Sequence, residues 1–145
     1  MFVSGFNGLG LHTLLGIIRM FPNVFKNFVF IQVGVVDAGN FKGAEEMNNL
    51  KEYLSKDSLK YTECLKNMGY FSETLTDIGA DMIDTMGELS KDAIKQFPNA
   101  IFFAGQLVFK NDSFLTRLLH NYVVFALQRK LFREGQAFVI LPIRV

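Results

Sequence analysis

The chain holds 145 residues, half of them apolar, with fifteen Lys and Arg against fourteen Asp and Glu. That length fits a single domain, and so small and dispersed a charge excludes an electrostatic footprint for nucleic acid. One cysteine, Cys64, excludes an intrachain disulfide, and the longest strongly apolar run, residues 28–36, is far short of the roughly 20 residues a membrane-spanning helix needs.

The first candidate element is residues 8–20, where Leu11, Leu14, Leu15 and Ile18 recur at helical spacing and Phe21-Pro22 breaks the pattern. Upstream of it, Phe2-Val3-Ser4 has the composition of a strand end. It leads into Gly5-Phe6-Asn7-Gly8-Leu9-Gly10, so strand, glycine turn and helix follow one another as at the entry to an α/β unit. This predicts a first strand that is clipped, with only its last residues in this chain. The start MFVSGFNG lacks the charged region of a secretory signal.

Residues 28–37 are β-branched and aromatic, as a strand buried on both faces requires. Residues 41–68 carry Met47, Leu50, Leu54, Tyr61, Leu65 and Met68 at three- and four-residue steps, which predicts a helix stopped by Gly69. Residues 70–77 alternate loosely and suit a strand nearer the sheet edge. A second amphipathic helix is predicted over 81–97, ended by Pro98, and a second buried strand over 100–109 with Gly105 in its middle. Residues 113–134 are apolar around much of their circumference, which predicts a well-buried helix closed by Gly135. Arg129, Lys130 and Arg133 complement the dipole at its end. The last strand is 136–145, where Pro142 cannot donate to a ladder and so predicts an edge position.

Strands alternating with helices of this length imply right-handed crossovers and a parallel sheet. The expected fold is therefore α/β: one domain over 1–145, a three-layer, mostly parallel five-stranded sheet with its first strand clipped, and helices on both faces. Mean hydropathy is +0.22 and sixteen residues are Phe. A sheet covered on both faces suffices to explain that apolar excess, and a surface that meets a partner is the other reading.

Gly5, Gly8 and Gly10 stand in the order G-x-x-G-x-G, which is not the dinucleotide fingerprint. The turn is either a plain tight turn or an anion site at the strand's carboxyl end, where α/β folds bind ligands. Asp37 either caps the turn into Gly39 and Asn40 or accepts from a ribose hydroxyl. His12 and His120 are the only histidines, without metal-ligand spacing; His12 is expected to be a partly buried hydrogen bonder. Ser4, His12 and Asp37 have the residue types of a nucleophilic triad, but no nucleophile elbow exists, so no enzyme is expected. Cys64, Met47, Met68, Met82 and Met86 read as core filling.

Two resemblances add to this. The pieces AIFFAGQ, FLTRLLHN and AFVILPIRV are similar to the second half of the universal stress protein fold. Nucleotide-binding members of that family carry a strand-end glycine, a second glycine three residues on, and a later Gly-Ser or Gly-Thr pair. Here Gly105 matches the first, Val108 stands at the second, and His120-Asn121 replaces the pair. Close backbone approach to phosphate favours glycine, so the resemblance implies the fold more than the ligand. The string GLGLHTLLGIIRMFPNVFKNFVFIQVGVVDAGNFKG, with FPNAIFFAGQLVF, LLHNYVVFALQRKL and VILPIRV, resembles the cytosolic tail of bacterial amino-acid permeases of the amino acid–polyamine–organocation superfamily. That resemblance spans about residues 8–145. It implies a non-catalytic regulatory or oligomerisation domain at the cytoplasmic face of the membrane, joined to the membrane-embedded part of the transporter. It also implies a homodimer, with the last strand as self-pairing edge, and no cofactor. The alternative is a sensor of a nucleotide or other small molecule, bound near Gly5, Asn7, Gly8, Asp37, Gly105, His120 and Asn121.

Overall fold

A computed structural model describes residues 1–36, 39, 43–108 and 114–144, and within the last segment it describes side chains from Tyr122 onward. Helix α1 is Gly8–Met20. The Asn7 side chain accepts from the Gly10 N–H at 2.9 Å and so satisfies one of its free amino-end donors. The helix ends where Phe21 N–H closes on Ile17 C=O, just before Pro22. Strand β1, Asn27–Val35, is buried along nearly its whole length. Helix α2, Ala44–Asn67, stops because Gly69 adopts a φ of +82°. Its neighbours then bond back, Gly69 N–H to Lys66 C=O at 3.1 Å and Tyr70 N–H to Leu65 C=O at 3.0 Å. This double closure satisfies two end carbonyls. Gly135 does the same for α4.

Strand β2 is Phe71–Gly79, helix α3 Met82–Gln96, strand β3 Phe102–Val108, helix α4 Phe114–Arg133 and strand β4 Phe138–Arg144. Asp81 caps α3 by accepting from Asp84 N–H at 2.8 Å. The chain is thus α/β, with the four predicted helices and the four predicted full-length strands present among the described residues. Strands β1 and β2 pair in parallel, Asn27 opposite Phe71 through Val35 opposite Gly79. Strands β3 and β4 form a second parallel pair, Phe102 opposite Phe138 through Val108 opposite Arg144. Pro142 sits opposite Gln106, on a strand whose pairing among the described residues is to β3 alone.

Among the described residues the strands therefore form two two-stranded parallel sheets where the sequence predicts one sheet of five strands. Residues 1–3 lie between them. Ile31 N–H donates to Met1 C=O at 2.9 Å, Val3 N–H to Ile31 C=O at 3.0 Å, and Phe2 N–H to Phe103 C=O at 2.9 Å. Phe2 makes an isolated parallel bridge with Ile31. Three residues are too few to build a ladder of their own, so the segment touches both sheets without counting as a strand.

Alternation along the strands sorts the core into two clusters. Phe28, Phe30 and Phe103 face α1 and α2, where Leu14, Ile17, Tyr61 and Leu65 meet them. Ile31, Val33, Phe102 and Ala104 face α3 and α4, against Met86, Ala93, Leu127 and Leu131. The Phe2 ring stacks against Phe102 at 5.5 Å and Phe138 at 5.6 Å, linking the amino end to both strands of the second sheet. Each fully buried large side chain of this kind, such as Phe30, contributes roughly 1.5–3 kcal/mol.

Three expectations from the sequence are corrected. From Tyr122 onward helix α4 buries Leu127 and Leu131, while Tyr122, Phe125 and Phe132 are exposed, because over this stretch it packs on the narrow β3–β4 pair from one side. Met68 is exposed because it lies at the end of α2 instead of on its inner face. His12 points to solvent, since Leu11, Leu14 and Ile18 define the packed side of α1.

Candidate functional site

The turn between Val3 and α1 lies at the carboxyl end of the amino-terminal segment, where an α/β fold offers a ligand site. Its backbone is held from beneath by α2. Asp57 Oδ2 accepts from Phe6 N–H at 2.6 Å and from Gln32 Nε2 at 3.3 Å. Lys60 Nζ donates to Asp57 Oδ1 at 3.2 Å and stands 5.7 Å from the Phe6 ring centre. The Tyr61 hydroxyl donates to Gly5 C=O at 2.8 Å, with its ring stacked on Phe30 at 4.6 Å and met edge-on by Phe6 at 4.8 Å. Asp57 is 5% exposed and Tyr61 fully buried.

Burial pushes the Asp57 carboxyl up, but the Phe6 N–H, Lys60 and Gln32 together outweigh it and hold the group below the usual carboxylate range. Burial, joined by the nearby Asp57 charge, raises the Tyr61 phenol. Asp57 is thus an ionised acceptor already engaged by three donors. It is a brace for the turn, not an open base. Gln32 Oε1 is buried and accepts no hydrogen bond among the described residues.

The glycines of the expected site serve different ends. Gly5, with φ of +136°, would place a Cβ 3.1 Å from Asp57 Oδ2. Gly10 lets the Tyr61 hydroxyl occupy the space a Cβ would fill, and Gly105 does the same for Thr13 and Leu9 of α1. Only Gly8 of these opens on free space. So Gly5, Asn7 and Gly8 come together in one turn, and Gly105 lies beneath the helix as a close-packing point. Asp37 falls outside the described residues. His120 and Asn121 lie on α4, with side chains outside them. Ser4 Oγ accepts from Asn7 Nδ2 at 3.3 Å, while His12 lies on the outward side of α1. Among the described residues there is no group of three or more His, Cys, Asp or Glu side chains placed to hold a metal ion.

Sequence reasoning missed Asp57, Lys60 and Tyr61 as the turn's support. A signal existed. Asp57 and Ser58 stand in the same helical stripe as Leu54, Tyr61 and Leu65, so a carboxylate occupies a core position and requires a buried partner. Gln32, the polar break in the apolar run of β1, is one of those partners.

A second concavity lies at the opposite, amino end of the strands, with a volume of about 360 Å³. Met1, Phe25, Phe28, Phe97, Pro98 and Phe102 help line it. The Met1 amino group is buried there and donates to Val29 C=O at 2.6 Å. Loss of solvent lowers its pKa from 8.0 to about 5. No helix among the described residues is long and apolar enough to cross a membrane. Compared with known protein families, with characterised proteins and with solved structures, the chain matches none.

Proposed function

We propose that the chain is a non-catalytic regulatory and oligomerisation domain at the cytoplasmic face of an amino-acid transporter. The observation that carries the non-catalytic part is that, among the described residues, the protein's own groups occupy the turn before α1 and the space above Gly105. Asp57 and Tyr61 take up the turn's polar atoms, and Thr13 and Leu9 occupy the space above Gly105. The transporter context is supported by the permease resemblance of residues 8–145. In this reading residues 1–3 are the centre of a five-stranded parallel sheet ordered β2, β1, residues 1–3, β3, β4, with helices on both faces. Hydrogen bonds from that segment to Ile31 and Phe103 support the order. The outer side of β4 is then the self-pairing edge of a homodimer.

Deleting the domain from the full transporter tests the reading: transport rate or oligomeric state should change, and a transporter unaltered in both refutes it. A second reading, a nucleotide-sensing domain, is favoured by the open space at Gly8 in the Asn7-capped turn. Calorimetry with ATP, AMP and cyclic dinucleotides separates the two. Saturable heat, lost when Gly8 is replaced by a bulky residue, would assign the domain to sensing.

A further inference from the structure

The distribution of charge on this molecule is uneven in a way its net charge conceals. Residues 1–36 contain no Asp or Glu, and neither do residues 135–145. These two stretches meet in space, because α1 packs against β4. Their cations are Arg19, Lys26 and Arg144, and none of the three makes an ion pair among the described residues. On α2, α3 and α4 the pattern is opposite: Lys56 pairs with Glu52, Lys91 with Glu88, Lys95 with Asp92 and Lys130 with Asp84. Asp57, which reaches the turn before α1 from α2, is buried and already bonded.

The same side of α1 exposes apolar side chains: Leu15 is 47% and Met20 50% exposed. His12, Leu15, Arg19 and Met20 follow the three- and four-residue steps of one helical side. With Ile143 and Arg144 of β4 they border a groove of about 480 Å³. A surface built from stretches without Asp or Glu, with cations unpaired among the described residues and outward apolar side chains, is unfavourable facing water alone. It is complementary to an anionic lipid surface, where a helix lies in the interface with apolar residues inserted and cations among the headgroups.

We infer that the face formed by α1 and the end of β4 docks on an anionic phospholipid bilayer. Leu15 and Met20 enter the headgroup boundary, and Arg19 and Arg144 bind lipid phosphates. A bilayer suits this face better than a peptide strand, since the exposed side chains project outward along a helix. The inference uses the chain's own surface and does not depend on the transporter reading.

Vesicle sedimentation with the 145-residue chain tests it. The chain should sediment with phosphatidylglycerol vesicles, not with phosphatidylcholine vesicles, and high salt should release it. Arg19→Gln with Arg144→Gln should weaken binding about 25-fold, taking about fivefold for each cation removed. Lys at both positions should preserve binding, and Leu15→Ser with Met20→Ser should weaken it. All these positions except the half-exposed Leu15 and Met20 are charged surface sites, and a melting curve like that of the parent chain shows that each variant folds. Failure to sediment with phosphatidylglycerol, equal binding to both lipids, or full binding by the double Gln variant overturns the inference. So does binding of an acidic amphipathic peptide to this face without vesicle binding, which would assign it to a protein partner.

Discussion

Replacing Asp57 by Ala should destabilise the domain by about 3 kcal/mol. The Phe6 N–H bond, at 2.6 Å to a buried carboxylate, is charge-assisted, and orphaning such a donor costs roughly 1–3 kcal/mol. The Gln32 amide bond is longer at 3.3 Å and adds about 1 kcal/mol. Lys60 is half exposed, so its pairing adds little. For a chain of this size a loss of about 3 kcal/mol lowers Tm by roughly 6–12 °C. Asp57→Asn keeps an oxygen that can accept from Phe6 N–H and should cost only about 1 kcal/mol. The carboxyl titrates below its ordinary value of 3.8 in the folded protein. The unfolded chain therefore takes up the proton first as pH falls. Its stabilisation is complete above pH 3.8 and is lost as pH drops through the lower folded value. Urea and thermal melts by circular dichroism at neutral pH, and again at and below pH 3.8, measure both effects. An Ala variant that melts with the parent chain, or an Asp-to-Asn difference that does not shrink on acidification, would refute the brace.

Gly10→Ala should cost about 1–3 kcal/mol, because the new methyl overlaps the Tyr61 hydroxyl. Adding Tyr61→Phe should recover part of that loss, and urea titration of the two single variants and the double variant reads the coupling. The buried Met1 amine, with its pKa lowered from 8.0 to about 5, binds its proton more weakly when folded. Acidification from pH 8.0 towards 5 therefore favours unfolding, by up to about 4 kcal/mol, and stability rises again with pH. Amino-terminal acetylation should flatten that slope across the same window, and a parent chain with no slope there would contradict the buried amine.

The legibility of this chain depended on where the deciding forces act. Gly69, Gly135, Pro22 and Pro98 end helices through the backbone of their immediate neighbours, so those helix ends could be read from the sequence to within a few residues. The apolar run of β1 and the weaker pattern of β2 reflected deeper and shallower burial for the same reason: burial on both faces leaves a continuous apolar string. The brace beneath the turn was illegible because Asp57 meets Phe6 across 51 residues. The carboxylate was visible in the helix stripe, but its partner is chosen by how α2 crosses β1.

By itself the sequence determined the α/β class, the order of eight elements, the glycine and proline helix stops, and a stretch without Asp or Glu at each end of the chain. Local hydrogen bonding and periodic burial decide those features. Only the tertiary structure decided that the strands form two parallel pairs with residues 1–3 bonded to both, that α4 exposes Tyr122, Phe125 and Phe132, and that the two acid-free stretches share one surface. Each of those depends on packing between distant segments, which no local pattern encodes.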